Sequence, residues 1–248
     1  RDFTIMRNAT RTCIAAACVW AAVSGATASA QTHPWSVSFD VGTQVAVDGN
    51  VHAGGSGAVL GLPTEVTAKS YGDVYGPGFY WAAGLGYRVA EGGEVRVQAS
   101  YTNNPAERLQ VGTVAGFPLL ALFDDYQALG VNFGYRQYLG GASVRPFVGA
   151  DVGFVRHEAV TGEFSVPAAG VVLSNVEFLE SSTVPAFGIG GGVQVQLSDH
   201  WAVQGGVDFR WHGDATDRDG LAGTGLEGIN DETRRWSMPI TGGVTVSF

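Results

Sequence analysis

Seven charged residues stand out because each sits in a stretch that is otherwise apolar or small: Asp40, Arg88, Arg96, Arg136, Asp151, Asp208 and Arg210. An arginine–aspartate set does electrostatic work. It pairs, binds hydroxyls and amides, or lines a path for polar solutes. Charges taken out of water persist only when paired and hydrogen-bonded. Glu94, next to a turn, is a further candidate member. Two uses of the set stay open at this point: a salt-bridge network that closes an interior, or the gate of a narrow conduction path.

Nucleophilic and metal chemistry is poorly supplied. A serine nucleophile needs a base beside it, and neither His157-Glu158 nor His212-Gly213-Asp214 gives a His/Ser pair close in sequence. Asp124-Asp125, and Asp208 with His212, echo acid/acid and acid/imidazole pairs without a base held near a substrate. Asp214, Asp217 and Asp219 share one acidic stretch, but only Asp217-Arg218-Asp219-Gly220 follows calcium-loop spacing. No catalytic site, metal or cofactor is expected. Three apolar runs lie outside any alternating stretch: 58–62, 119–123 and 171–173. They read as segments that pack on one another, or as a surface for an apolar ligand or partner.

The charges are positioned by a period of two. Residues 236–248 alternate Trp236, Met238, Ile240, Gly242, Val244, Val246 and Phe248 with small or polar residues. That period puts the two sets on opposite faces of a strand. Seven further stretches do the same, at 35–47, 79–89, 94–101, 129–136, 144–156, 185–197 and 201–211. The stretch 144–156 is the least regular, because Phe147 and Val155 fall on the polar face. Most of these runs exceed the ~5–6 residues of an ordinary strand and suit a tilted membrane strand of ~9–11. The expected fold is all-β: an eight-stranded antiparallel up-and-down transmembrane β-barrel. The charged set points into its lumen.

Connections alternate in length. Residues 90–93, 140–143 and 198–200 make tight turns, and about 48–78, 102–125, 157–183 and 212–235 make long loops. Short turns on one side and long loops on the other is the outer-membrane pattern. Aromatic belts are expected at both membrane faces. Phe79, Trp81, Tyr101, Trp211 and Trp236 fall at the loop end, and Trp35, Tyr87, Tyr138 and Trp201 near the turn end. Arg108, Arg156, Arg234 and Arg235 fall near the outer rim, where guanidinium groups suit phosphate.

Residues 1–30 read as an export signal, with Arg7 and Arg11 before an apolar stretch at 13–23 and Ala28-Ser29-Ala30 as the cleavage pattern. The barrel domain is then 31–248. Both cysteines, Cys13 and Cys18, lie in the signal, so no disulfide is available to the remainder. Net charge is −9, which argues against a nucleic-acid partner.

With these strands, belts and loops, the chain resembles the small outer-membrane barrels of the OmpA transmembrane domain, OmpX/Ail and OmpW class. Phe248, preceded by Val246, Val244 and Ile240, looks like the assembly signal of such proteins. The resemblance implies a bacterial outer-membrane location with outer-membrane lipid and lipopolysaccharide as surroundings. It also implies transient encounters with periplasmic chaperones and the barrel-assembly machinery, and a monomer. The expected role is structural or surface-interacting with a mostly closed polar lumen. The alternative is an OmpW-like channel for small, hydrophobic molecules.

Overall fold

The computed structural model describes residues 33–140, 143–216, 222–230 and 233–248. The proposed signal, the turn residues Gly141 and Ala142, and Asp217 to Gly220 of the acidic stretch lie outside the described residues. In chain order the elements are β1 (Trp35–His52), β2 (Gly55–Val59), β3 (Leu62–Val66), β4 (Lys69–Ser70), helix α1 (Tyr71–Val74), β5 (Gly78–Ala90) and β6 (Gly93–Asn104). There follow β7 (Leu109–Val114), β8 (Phe117–Phe123), β9 (Tyr126–Tyr138), β10 (Val144–His157), β11 (Val160–Val166) and β12 (Val171–Leu179). The chain continues through β13 (Ser182–Gln196), β14 (Trp201–His212) and β15 (Arg235–Ser247).

Eight of these strands form one antiparallel sheet in the order β15-β14-β13-β10-β9-β6-β5-β1. The sheet closes because β1 pairs on its other edge with β15. Val37 faces Val246, Phe39 faces Val244, and the register holds from Ser36 to Ala46. The strands have 12 to 18 residues. At about 3.3 Å per residue and a tilt near 40°, twelve residues rise about 30 Å, a hydrocarbon thickness.

The wall is inverted relative to a water-soluble barrel. Phe39, Leu85, Val97, Phe133, Val152, Ile189 and Ile240 are exposed on the outside. Ser36, Ser38, Asp40, Asn132, Gln194, Gln204, Arg210 and Thr245 are buried inside. Period-two alternation holds through both sets, as expected. Phe147 and Val155 do point inward and are buried. Tyr138 is a correction. It shares the parity of Arg136 and is buried in the lumen, so it does not belong to the outer belt.

The long connections hold a second sheet. Strands β2 and β3, β7 and β8, and β11 and β12 form three hairpins that join as β12-β11-β8-β7-β3-β2. Its edge strand β2 is bridged by the fourth connection, where Ala58 N donates to Thr224 O at 2.7 Å. The β12 edge is reached by the same segment, where Asn230 Nδ2 donates to Phe178 O at 2.7 Å. The six strands therefore curl round and nearly close through residues 224–230. The apolar runs at 58–62, 119–123 and 171–173 belong to this tier. Much of the buried apolar core lies in or under it, with Val111, Leu119, Ala121, Phe123, Val160, Phe178 and Leu179 as members.

Two of the hairpins turn on Leu60-Gly61 and Ala115-Gly116, with all four residues at positive φ. This is the mirror-image turn that matches strand twist, and its first position costs a non-glycine residue about 1 kcal/mol. Replacing Ala115 with Asn, which tolerates that region, is expected to stabilise the β7–β8 hairpin by about 0.5–1 kcal/mol. Native-state hydrogen exchange of the β7 and β8 amides checks this, with slower exchange expected in the variant.

Candidate functional site

The lumen is built from side chains that the barrel strands turn inward. Arg210 Nη2 lies 3.3 Å from Asp151 Oδ2 and 3.4 Å from Gln98 Oε1. Arg96 Nε lies 3.5 Å from Glu94 Oε1, and its Nη2 donates to Ser38 Oγ at 2.9 Å. Arg136 reaches Asp40 through an amide: Nη1 donates to Gln204 Oε1 at 2.8 Å, and Gln204 Nε2 donates to Asp40 Oδ1 at 2.6 Å. The Arg136 guanidinium also stacks 4.0 Å over the Phe147 ring. Arg88 stands nearer the turn end and bonds Ser247 Oγ at 3.4 Å. Asp208 borders the same interior without an ion pair among the described residues.

Inward glycines make room for these charges instead of leaving channels. A Cβ on Gly190 would collide with the Asp208 carboxylate, and one on Gly86 with the Glu94 carboxylate and Ser36 Oγ. A pocket of about 60 Å³ lies in the lumen, bordered by Asp40, Tyr80, Arg96, Arg136, Asp151 and Arg210. That is room for a few water molecules.

Aromatic residues ring both ends of the wall. Trp35 and Tyr87 pack at 4.8 Å between ring centroids near the turns, where Trp201 and Phe248 are also exposed. At the loop end Phe79 is exposed, Trp81 packs on Tyr101 at 6.5 Å, and Phe187 packs on Trp211 at 5.3 Å and Trp236 at 5.4 Å. Apolar bands between aromatic girdles, over a closed polar interior, belong to one environment. The chain is a transmembrane β-barrel of the outer-membrane type. Ile240 and Val244 stand on its lipid face, and Phe248 closes the ring by exchanging backbone hydrogen bonds with Trp35 at 3.0 and 3.2 Å.

Above the barrel's lumen sits a buried polar and aromatic plug. Helix α1 starts from a capping box in which Ser70 and Asp73 bond reciprocally. Tyr71 Oη then donates to Thr233 O at 3.1 Å. Tyr71, Tyr75 and Tyr126 pack with centroids 5.9 to 6.1 Å apart. The Arg235 guanidinium lies 3.5 Å over the Tyr126 ring and 5.3 Å from Tyr71. Arg235 is only 4% exposed, so it does not stand at the rim to meet phosphate as expected. Its parity with Ser237 turns it inward. Arg108 is at the surface and pairs with Glu163 at 2.8 Å.

Two Ser–His pairs also lie at the mouth, and sequence spacing concealed both. Ser182 Oγ is 2.7 Å from His157 Nε2, and Ser237 Oγ is 3.1 Å from His212 Nε2. In each pair the partners are 25 residues apart, on consecutive barrel strands joined by a long connection, β10 with β13 and β14 with β15. His157 Nδ1 faces the Glu158 carbonyl at 3.3 Å, and Ser182 Oγ accepts Thr216 N at 3.2 Å. Ser182 thus ties the base of the fourth loop to the third, with a carbonyl in the place a triad gives to a carboxylate.

Inside the curled upper sheet is a cavity of about 350 Å³. Leu62, Val114, Leu119, Phe164, Leu173 and Phe178 supply much of its wall, and Leu226 and Ile229 of the fourth loop close one side. The hairpin tips Leu60, Phe117 and Val171 also line it and are exposed to solvent. The cavity therefore opens away from the membrane. Its polar lining includes His52, Thr64 and Thr224.

No protein-family model and no curated protein sequence matches the chain. Among solved structures, it is similar to Neisserial surface protein A at 14% identity and TM-score 0.49, covering 86% of this chain and 97% of that one. It is similar to the outer membrane protein OprG of Pseudomonas aeruginosa at 13% identity and TM-score 0.44, covering 87% and 97%. It is also similar to the outer membrane protease OmpT of Escherichia coli at 7% identity and TM-score 0.45, covering 90% and 99%. At these values the barrel assignment rests on its own strand pairing and wall.

Breaking a buried pair leaves a stranded charge and costs about 3–5 kcal/mol, whereas an exposed pair is worth about 0–1. Arg210→Ala is accordingly expected to lower the urea midpoint of the refolded barrel far more than Arg108→Ala, and equal shifts would contradict the lumen geometry. A second expectation concerns pH. Burial holds His52 and His157 below the ordinary imidazole value of 6.5. An unfolded segment takes up a proton at about 6.5 while the folded one resists. Their contribution is complete above that pH and lost as pH falls below it. The hydrogen-exchange protection factors of the β11 and β12 amides, which allow for the slower intrinsic exchange at lower pH, should fall between pH 7.5 and 5.

Proposed function

We propose that the barrel is a surface anchor with a closed lumen, and that its extracellular tier binds a small apolar molecule from outside the cell. The apolar cavity of about 350 Å³ carries this reading. It lies in the size range of small-molecule sites and opens at exposed hairpin tips. The lumen beneath offers about 60 Å³ among charges, and the Tyr71, Tyr126 and Arg235 plug stands between. Binding at the surface therefore fits better than passage through the wall. The role is non-catalytic. Lipopolysaccharide surrounds the wall, and the 240–248 strand end serves as the assembly signal.

Filling the cavity tests the proposal. In nanodiscs, an environment-sensitive naphthylamine probe should bind saturably to the refolded protein. Leu119→Trp or Val114→Trp should weaken that binding at least tenfold while leaving the unheated gel mobility of the folded barrel intact. Planar bilayers should show no unitary steps. Reproducible steps, enlarged by Arg136→Ala, would replace the closed lumen with a channel.

A further inference from the structure

The cavity wall holds a histidine whose chemistry selects the ligand. His52 is 2% exposed, and its ring forms part of the cavity wall beside Phe178. Its Nδ1 lies 3.0 Å from the Ala53 carbonyl oxygen. A carbonyl only accepts, so Nδ1 carries the hydrogen. In a neutral ring the other nitrogen, Nε2, is then an acceptor. Burial favours the neutral ring, and Lys69, opposite His52 on β4, adds to this. Among the described residues no protein donor reaches Nε2. The other polar liners already bond within the protein: Thr64 Oγ1 donates to Leu62 O at 3.1 Å and accepts Val59 N at 3.3 Å, and Thr224 Oγ1 accepts Leu226 N at 3.3 Å.

A ligand that donates to Nε2 gains a hydrogen bond that no described protein group supplies. A carboxylate brings a second acceptor and a charge into an apolar chamber, which is unfavourable. We infer that the extracellular cavity takes a neutral, mostly apolar molecule bearing a hydroxyl that donates to His52 Nε2, and disfavours the corresponding carboxylate. The volume is a little over twice that of the ~150 Å³ cavity that accepts benzene, so about a dozen heavy atoms fit. This rests on the proposed function and names its ligand class.

The test compares isomers. Decan-1-ol and 1-methoxynonane contain the same atoms, and only the alcohol can donate. Displacement of the naphthylamine probe from protein in nanodiscs at pH 7.5 would be measured for both and for decanoate. The alcohol is expected to bind at least tenfold more tightly than either. In His52→Phe, which packs but cannot accept, the alcohol should lose that advantage while the ether binds as before. In His52→Gln, whose amide oxygen accepts, part of it should return. Comparing protein variants removes the isomers' different affinities for water. If the isomers bind equally to the unaltered protein, or the preference survives in His52→Phe, the inference about His52 is wrong and the apolar site still stands. If neither isomer nor the probe binds, the site itself is wrong.

Discussion

A backbone amide in hydrocarbon has no water to bond, so every spanning strand must be paired along both edges. The β1 strand meets that demand by sitting between β5 and β15, and the rest of the barrel follows from its closure. A closed ring of eight strands has an interior only about wide enough for side chains to fill. Polar side chains turned inward must therefore satisfy one another. Arg136, Gln204 and Asp40 do so in sequence, with a neutral amide carrying the interaction between opposite charges. Glycine on the neighbouring strand supplies the room each carboxylate needs, as Gly190 does for Asp208.

Above the membrane the same cyclic order continues under opposite rules. Hairpins rise from the first three long connections and pair in the order their parent strands have in the ring. Water now bathes the outside, so apolar groups turn in. Phe123, Phe164 and Phe178 meet edge to face at 5.2 to 5.9 Å. The fourth connection brings no strand to this sheet among the described residues, and instead bonds the free edges at Ala58 and near Phe178. A sheet bent round in this way, with an irregular segment closing it, does not collapse to interior packing density. The cavity is the space that results.

Strand number, facing and closure were legible because period two survives wherever one face meets lipid and the other a polar lumen. The inward charges were legible for the same reason. Tyr138 was misread from its nearness to a turn, although its parity with Arg136 carried the answer. The upper sheet was hidden for two physical reasons. Its strands are short and pair across separate connections, so no local period marks the partners. Its tight turns use Leu60 and Ala115 where asparagine or glycine would have advertised them. The Ser182–His157 and Ser237–His212 pairs were hidden likewise, since the register of two barrel strands across a long connection, not local spacing, brings them together.

The plug decides how the two tiers relate. Arg235 is held mainly by ring faces: its Nε and Nη2 have no hydrogen-bond partner among the described residues, while Tyr126 lies 3.5 Å beneath the guanidinium. A cation is attracted to such a face, the more so when desolvated, and burial raises the proton affinity of Tyr71 and Tyr126 so that both rings stay neutral beside it. A molecule descending from the apolar chamber would have to separate this cation from its rings and then enter an interior lined with Arg96, Arg210 and Asp151. It would exchange apolar walls for charges at every step. The free-energy gradient for such a molecule runs back toward the hairpin tips, the direction that the proposed surface binding requires.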